Sequence, residues 1–146
     1  MRIRYMRDLA FMAVSLAVAA CTSTRTITEP VVYSQAEAAD SVRIQVGQTI
    51  AVGDLRIRFD AVPSDSRCPS DVVCIWEGDG VATLVAERVA TPSSAVSLNL
   101  HTSIAPKSGE AHGFKIELLV LTPYPSTKSP IKPDGYSAWI RITPAG

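Results

Sequence analysis

From residue 42 onward, apolar side chains recur at every second position. Val42, Ile44 and Val46 begin the pattern, Ile50 and Val52 continue it, and Leu55, Ile57 and Phe59 carry it further, with Arg43, Gln45, Arg56, Arg58 and Asp60 between them. A period of two places alternate residues on opposite faces of an extended chain, which suits a half-buried strand and not a helix of 3.6-residue period. The pattern resumes at Val81 to Val89, at Val96, Leu98 and Leu100, at Phe114, Ile116, Leu118 and Val120, and at Tyr136, Ala138, Ile140 and Ile142. Gly53-Asp54 separates two such runs and reads as a tight hairpin turn, glycine supplying the positive φ that primed turns require.

No stretch after residue 40 combines helical periodicity with caps, and the chain's ten prolines punctuate connections and block edge pairing. The expected fold is all-β: an immunoglobulin-like antiparallel β-sandwich of about seven strands over residues 41–146, with a small closed barrel as the alternative. The immunoglobulin Cys–Trp–Cys spacing is absent, so the expectation concerns architecture and not a superfamily.

The alternation breaks in one place, DSRCPSDVVCIWEGDG, Asp65 to Gly80. A connection of about twenty residues from Val62 to Gly80 is too long to be ordered without a tie. Cys68 and Cys74 supply one: a bridge between them closes a seven-residue ring and restricts the unfolded chain by about 2.4 kcal/mol. Pro69 fixes a φ inside the ring, Asp65 and Ser66 suit turn capping, and Trp76 is expected to pack against the bridge or over the end of the sandwich.

The cysteine count supports that pairing. Three cysteines are present, and the first, Cys21, ends a distinctive N-terminus. Arg2, Arg4 and Arg7 precede an apolar run, Leu9 to Ala20, whose twelve residues are too few to cross a hydrocarbon core of ~30 Å and suit a secretory signal. Val18-Ala19-Ala20-Cys21 resembles a bacterial lipobox, which implies a diacylglycerol on the Cys21 thiol and cleavage before it. Lipid contributes about 0.8 kcal/mol per buried methylene, so multiple chains anchor the protein permanently. Thr22 in place of aspartate favours the outer membrane by the same resemblance. Assigning Cys21 to lipid leaves Cys68 and Cys74 as an even pair in an oxidising compartment. Residues 21–40, rich in Thr, Ser, Glu and Ala, read as a flexible tether.

Removing residues 1–20 takes away Arg2, Arg4, Arg7 and Asp8, so the 14 basic and 14 acidic residues become 11 and 13, a net charge of −2. No basic block could follow a row of phosphates, and nucleic acid is not an expected partner.

The stretch from LRIRFDAV through DSRCPSDVVCIWEGDG to VATLVA resembles a group of uncharacterised bacterial lipoproteins and secreted domains. Their shared pattern is an Asp-Ser-Arg-Cys-Pro run, a second cysteine, a tryptophan and, after a spacer, a glycine. The resemblance covers Val42 to Ile142 and implies an exported β-rich domain, bringing no activity with it.

Residues with sharper chemistry are also present. Asp65, Asp71, Glu77 and Asp79 offer oxygen ligands to calcium, but not at EF-hand spacing. His101 ends one predicted strand and His112 opens the next, with Glu110 between them; if those strands form a hairpin, the three side chains offer a zinc or copper site at its mouth. The two thiols lack the partners of a zinc site and the C-x-x-C spacing of a redox site. Neither G-x-S-x-G nor Ser-x-x-Lys with its partner motifs occurs. The resulting expectation is a non-enzymatic, cofactor-free, lipid-anchored envelope module that binds an envelope protein or has a structural role. Its interaction surface is the stapled loop, with Arg67, Trp76 and Glu77 as contact residues. A metal-binding protein and a loop-presenting protease inhibitor are the alternatives.

Overall fold

The computed structural model describes residues 31–33 and 41–146; the expected signal segment 1–20, Cys21 and the rest of the tether lie outside the described residues. Nine strands form: β1 Val31–Tyr33, β2 Val42–Gln45, β3 Thr49–Val52, β4 Leu55–Asp65, β5 Gly80–Arg88, β6 Thr91–His101, β7 Ser108–Ala111, β8 Phe114–Thr122 and β9 Ser137–Pro144. Apart from the single 3-10 turn Pro133–Gly135, the described residues contain no helix. One sheet has the order β1-β3-β4-β5-β6 and the other β2-β9-β8-β7. Eight strands thus make two antiparallel sheets of four, the expected sandwich, and β1 adds a parallel edge beside β3. Consecutive strands neighbour one another within each sheet, with β2 crossing to lie beside β9.

Alternation decides which side chains meet between the sheets. Leu55, Ile57 and Phe59 of β4 and Ala82, Leu84 and Ala86 of β5 face inward, against Ile116, Leu118 and Leu121 of β8 and Ala138 and Ile140 of β9. Each large side chain buried in this way contributes about 1.5–3 kcal/mol relative to exposure. The β3–β4 turn at Gly53-Asp54 forms as expected, with Gly53 at φ 60°.

Three elements depart from the sequence expectation. β4 continues past Val62 to Asp65, so the connection to β5 is shorter than expected; register shifts after Phe59 and after Ala61 reset the alternation while pairing continues. Pro63, which has no N–H to give a ladder, falls inside the second irregularity. β7 lies in what reads as a loop, because its sequence Ser-Gly-Glu-Ala has no alternating apolar row. Gly109 brings the two sheets close there: a Cβ would stand 2.8 Å from the Leu98 Cδ2 of the opposite sheet, so a larger residue would push that side chain aside. Finally, β1 lies within the expected tether.

The strands carry their connections to two ends. The turns at Gly53-Asp54, between β5 and β6, and at His112-Gly113 occupy one end. The three long connections, β4–β5, β6–β7 and β8–β9, gather at the other.

Candidate functional site

The β4–β5 connection leaves the sheet as a narrow two-stranded stalk. The Ser66 amide donates to the Asp79 carbonyl at 2.7 Å and the Cys68 amide to the Glu77 carbonyl at 2.8 Å. Ser66 Oγ adds a second link, donating to the Asp79 carbonyl and accepting from the Asp79 amide. Gly78 makes the stalk possible, since it sits at φ 70° and a Cβ would lie 1.9 Å from the Ser66 carbonyl oxygen. No L side chain fits that approach. Above the stalk, Cys68 and Cys74 are joined by a disulfide, with their Cα atoms 5.9 Å apart.

Beneath the ring, Arg67 turns inward. It is 4% exposed. Its Nε and Nη2 donate to the two oxygens of Asp65 at 2.8 and 2.7 Å, Nη2 also donates to the Pro123 carbonyl at 2.8 Å, and Nη1 donates to the Leu121 carbonyl. Its guanidinium lies 4.7 Å from the centre of the Tyr124 ring, and Tyr136 donates its hydroxyl to Asp65 at 3.1 Å. Burial pushes the Asp65 carboxyl up, but the hydrogen bonds and charge of Arg67 outweigh it and hold the pKa below the usual range. The fork geometry of arginine matches this use, satisfying a carboxylate and two strand-end carbonyls at once. Arg67 therefore locks the loop to β8 and the β8–β9 connection and is not the surface contact residue expected from the sequence.

Asp79 makes a second anchor. Its Oδ1 accepts from the amides of Thr102 and Ser103 at 3.1 and 3.0 Å and lies within reach of both hydroxyls, while Oδ2 meets His101 Nδ1 at 2.6 Å. Burial opposes ionisation here too, and the His101, Ser103 and Thr102 hydrogen bonds prevail, lowering the pKa to about 2. An ionised carboxylate only accepts, so the His101 Nδ1 carries the proton of this bond. Asp71 makes the third anchor, on the far side of the ring. It accepts from the Thr127 amide and hydroxyl and from Ser126, and these bonds, the Thr127 hydroxyl first, lower its pKa. The adjacent Ser70 amide donates to the Pro125 carbonyl at 2.9 Å.

Three connections are thus pinned together by three carboxylates, and the large apolar side chains in and just after the ring face water. Val73 is 101% exposed, Ile75 94% and Trp76 81%, with Val72 exposed beside them. Trp76 stands exposed and does not cover the bridge or the sandwich end as the sequence suggests. The Glu77 side chain is exposed next to Trp76 and the Glu77 carbonyl belongs to the stalk.

The alternative histidine cluster does not assemble. β6 and β7 lie in different sheets, His101 is in register with Val81, and the His112 carbonyl accepts from Arg88. Seven residues of β5 separate those two levels, about 23 Å at strand rise. Glu110 stays with His112, opposite Lys115. His112 itself occupies a turn position at φ 53°. Asp65, Asp71 and Asp79 each serve a different partner, and among the described residues no group of three or more His, Cys, Asp or Glu is placed to hold a metal ion.

Sequence reasoning missed the Asp79–His101–Thr102–Ser103 network, which depends on the β5–β6 register that sets residues 80 and 102 side by side. For Arg67 a local signal existed: residues 65 and 67 are two apart in an extended segment and share a face. Comparison with family models, curated proteins and solved structures gave no match.

Proposed function

We propose that this chain is a lipid-anchored binding module of the bacterial cell envelope whose working surface is the apolar tip Val73, Ile75 and Trp76. One observation carries the reading: three large apolar side chains stand in water on a loop that a disulfide and three anchored carboxylates hold in place. Exposed apolar clusters on an otherwise ordinary surface mark contact sites, and tryptophan is enriched among contact residues. A loop ordered in advance avoids most of the entropy cost of ordering on contact. The polar groups around it are engaged in holding the loops together, and no reaction is assigned to them. The Cys68–Cys74 bridge supports export, since it leaves Cys21 as the chain's one other cysteine, at the end of the signal-like run.

Oxidative footprinting tests this directly. In native envelopes Trp76 is expected to react at least severalfold more slowly than in the purified protein, while Val89, exposed beside the Gly53-Asp54 turn, reacts equally in both. Equal labelling of Trp76 in the two settings would remove the reading.

A further inference from the structure

We infer that the tip's partner is the lipid bilayer surface itself, with Val73, Ile75 and Trp76 seated between the headgroups and the acyl chains. This rests on the lipid-anchor reading of Cys21.

The direction of β1 is the first argument. Val31 pairs with Ile50 and Tyr33 with Val52, which adjoins the Gly53-Asp54 turn. Followed backwards from Tyr33 to Val31, the chain heads away from that turn and toward the end that bears the disulfide loop. Cys21 lies ten residues before Val31, and ten residues reach at most about 33–36 Å. Val31 is level with Ile57 and, across the sheet, with Ala86. From Ala86 to Glu77, at the root of the tip, is nine residues of β5 and stalk, about 30 Å at strand rise. The reach of the anchor covers the height of the loop end. A domain standing with its loops toward the membrane can therefore bring its tip to the surface, and the chain followed backwards through β1 already runs toward that end.

The distribution of apolar side chains is the second, independent argument. Of the nine large apolar side chains exposed among the described residues, six lie at this end: Val72, Val73, Ile75, Trp76, Ile104 and Tyr124. Ile104 comes from the β6–β7 connection and Tyr124 from the β8–β9 connection, so three separate loops contribute to one end. Val89 is at the other end, and Val120 and Trp139 form a cross-strand pair on the outer face of the second sheet. Tryptophan and tyrosine favour the membrane–water boundary, where an apolar ring and a polar edge are both satisfied. The exposed charges here are balanced, Lys107, Lys128 and Lys132 against Asp71, Glu77 and Asp134, so the contact is driven by apolar insertion and persists in salt.

The lipidated protein, purified from envelopes and reconstituted into phosphatidylethanolamine–phosphatidylglycerol vesicles with brominated acyl chains, tests this. Trp76 and Trp139 are the chain's two tryptophans. In a Trp139→Phe variant, Trp76 emission is expected to fall at least twofold against plain vesicles and to shift to the blue, unchanged by 0.5 M salt. In a Trp76→Phe variant, Trp139 emission is expected to stay unquenched. Unquenched Trp76 on a chain whose mass shows lipid at Cys21 overturns the inference and leaves the anchor standing. An unmodified Cys21 overturns the anchor, and the inference with it. A photo-crosslinker at position 75 is expected to yield lipid adducts in envelopes; adducts with a protein alone overturn the bilayer and leave the binding-module reading in place.

Discussion

The two halves of the stretch Asp65–Gly80 obey opposite rules. In its inner half, Asp65, Arg67, Gly78 and Asp79 are polar or small and sit where burial is expensive, yet almost every donor and acceptor is matched. In its outer half, Val72, Val73, Ile75 and Trp76 are apolar and sit in water. Folding energetics alone would favour the reverse placement. The inner half is explained by the fold, since Arg67 and Asp79 fasten the β4–β5 connection to the other two. The outer half is not, which makes it the part a function must explain.

The largest effect expected is at Arg67. Arg67→Ala leaves the Asp65 carboxylate buried without its counter-ion, and breaking a buried pair in this way costs about 3–5 kcal/mol. Urea unfolding would show it; a loss under about 1 kcal/mol would mean that the inner half is less essential than its geometry implies. Removing the bridge with Cys68→Ser and Cys74→Ser comes next, at about 2.4 kcal/mol from the entropy of a seven-residue ring. It sharpens the comparison, because the stalk bonds below Cys68 should persist while the ring becomes a protease target. Limited proteolysis should then cut between residues 69 and 76, and uncut protein would contradict this.

A smaller, pH-dependent effect belongs to Asp79. Its folded pKa of about 2 lies below the ordinary 3.8, so its contribution is fully present above about pH 4 and is lost as pH falls toward 2. The stabilisation at stake is on the order of 2 kcal/mol. Stability measured from pH 5 to pH 2 should fall more steeply in the wild type than in Asp79→Asn. Parallel curves would show that the carboxylate is not what fastens the loop to His101, Thr102 and Ser103.

Most of the strands were legible in the sequence because an inward row of Leu, Ile and Val marks each one. Legibility failed where pairing continued without that row: at the end of β4, where two irregularities and Pro63 reset the period, and in β7, where Gly109 answers to Leu98 across the core. The cysteine bridge was legible from counting. Arg67 is misread because an arginine in a loop is ordinarily exposed, and two of the partners that hold it inside, the Leu121 and Pro123 carbonyls, lie more than fifty residues away. For Trp76 only the packing is misread: a tryptophan beside a disulfide ordinarily packs on it, and here it stands exposed.

The division between a structural inner half and an unneeded outer half is tested most directly by thermal unfolding of the triple variant Val73→Ser, Ile75→Ser, Trp76→Ser. Surface changes away from packing stay within about 0.5 kcal/mol each, and 1 kcal/mol shifts the midpoint of a domain of this size by about 4–8 °C. The three changes together are expected to cost no more than about 1.5 kcal/mol, a midpoint at most about 6–12 °C below the wild type, with the Cys68–Cys74 bridge intact. A fall well beyond about 12 °C would show that the tip belongs to the fold, and the case for a surface made for contact would be lost.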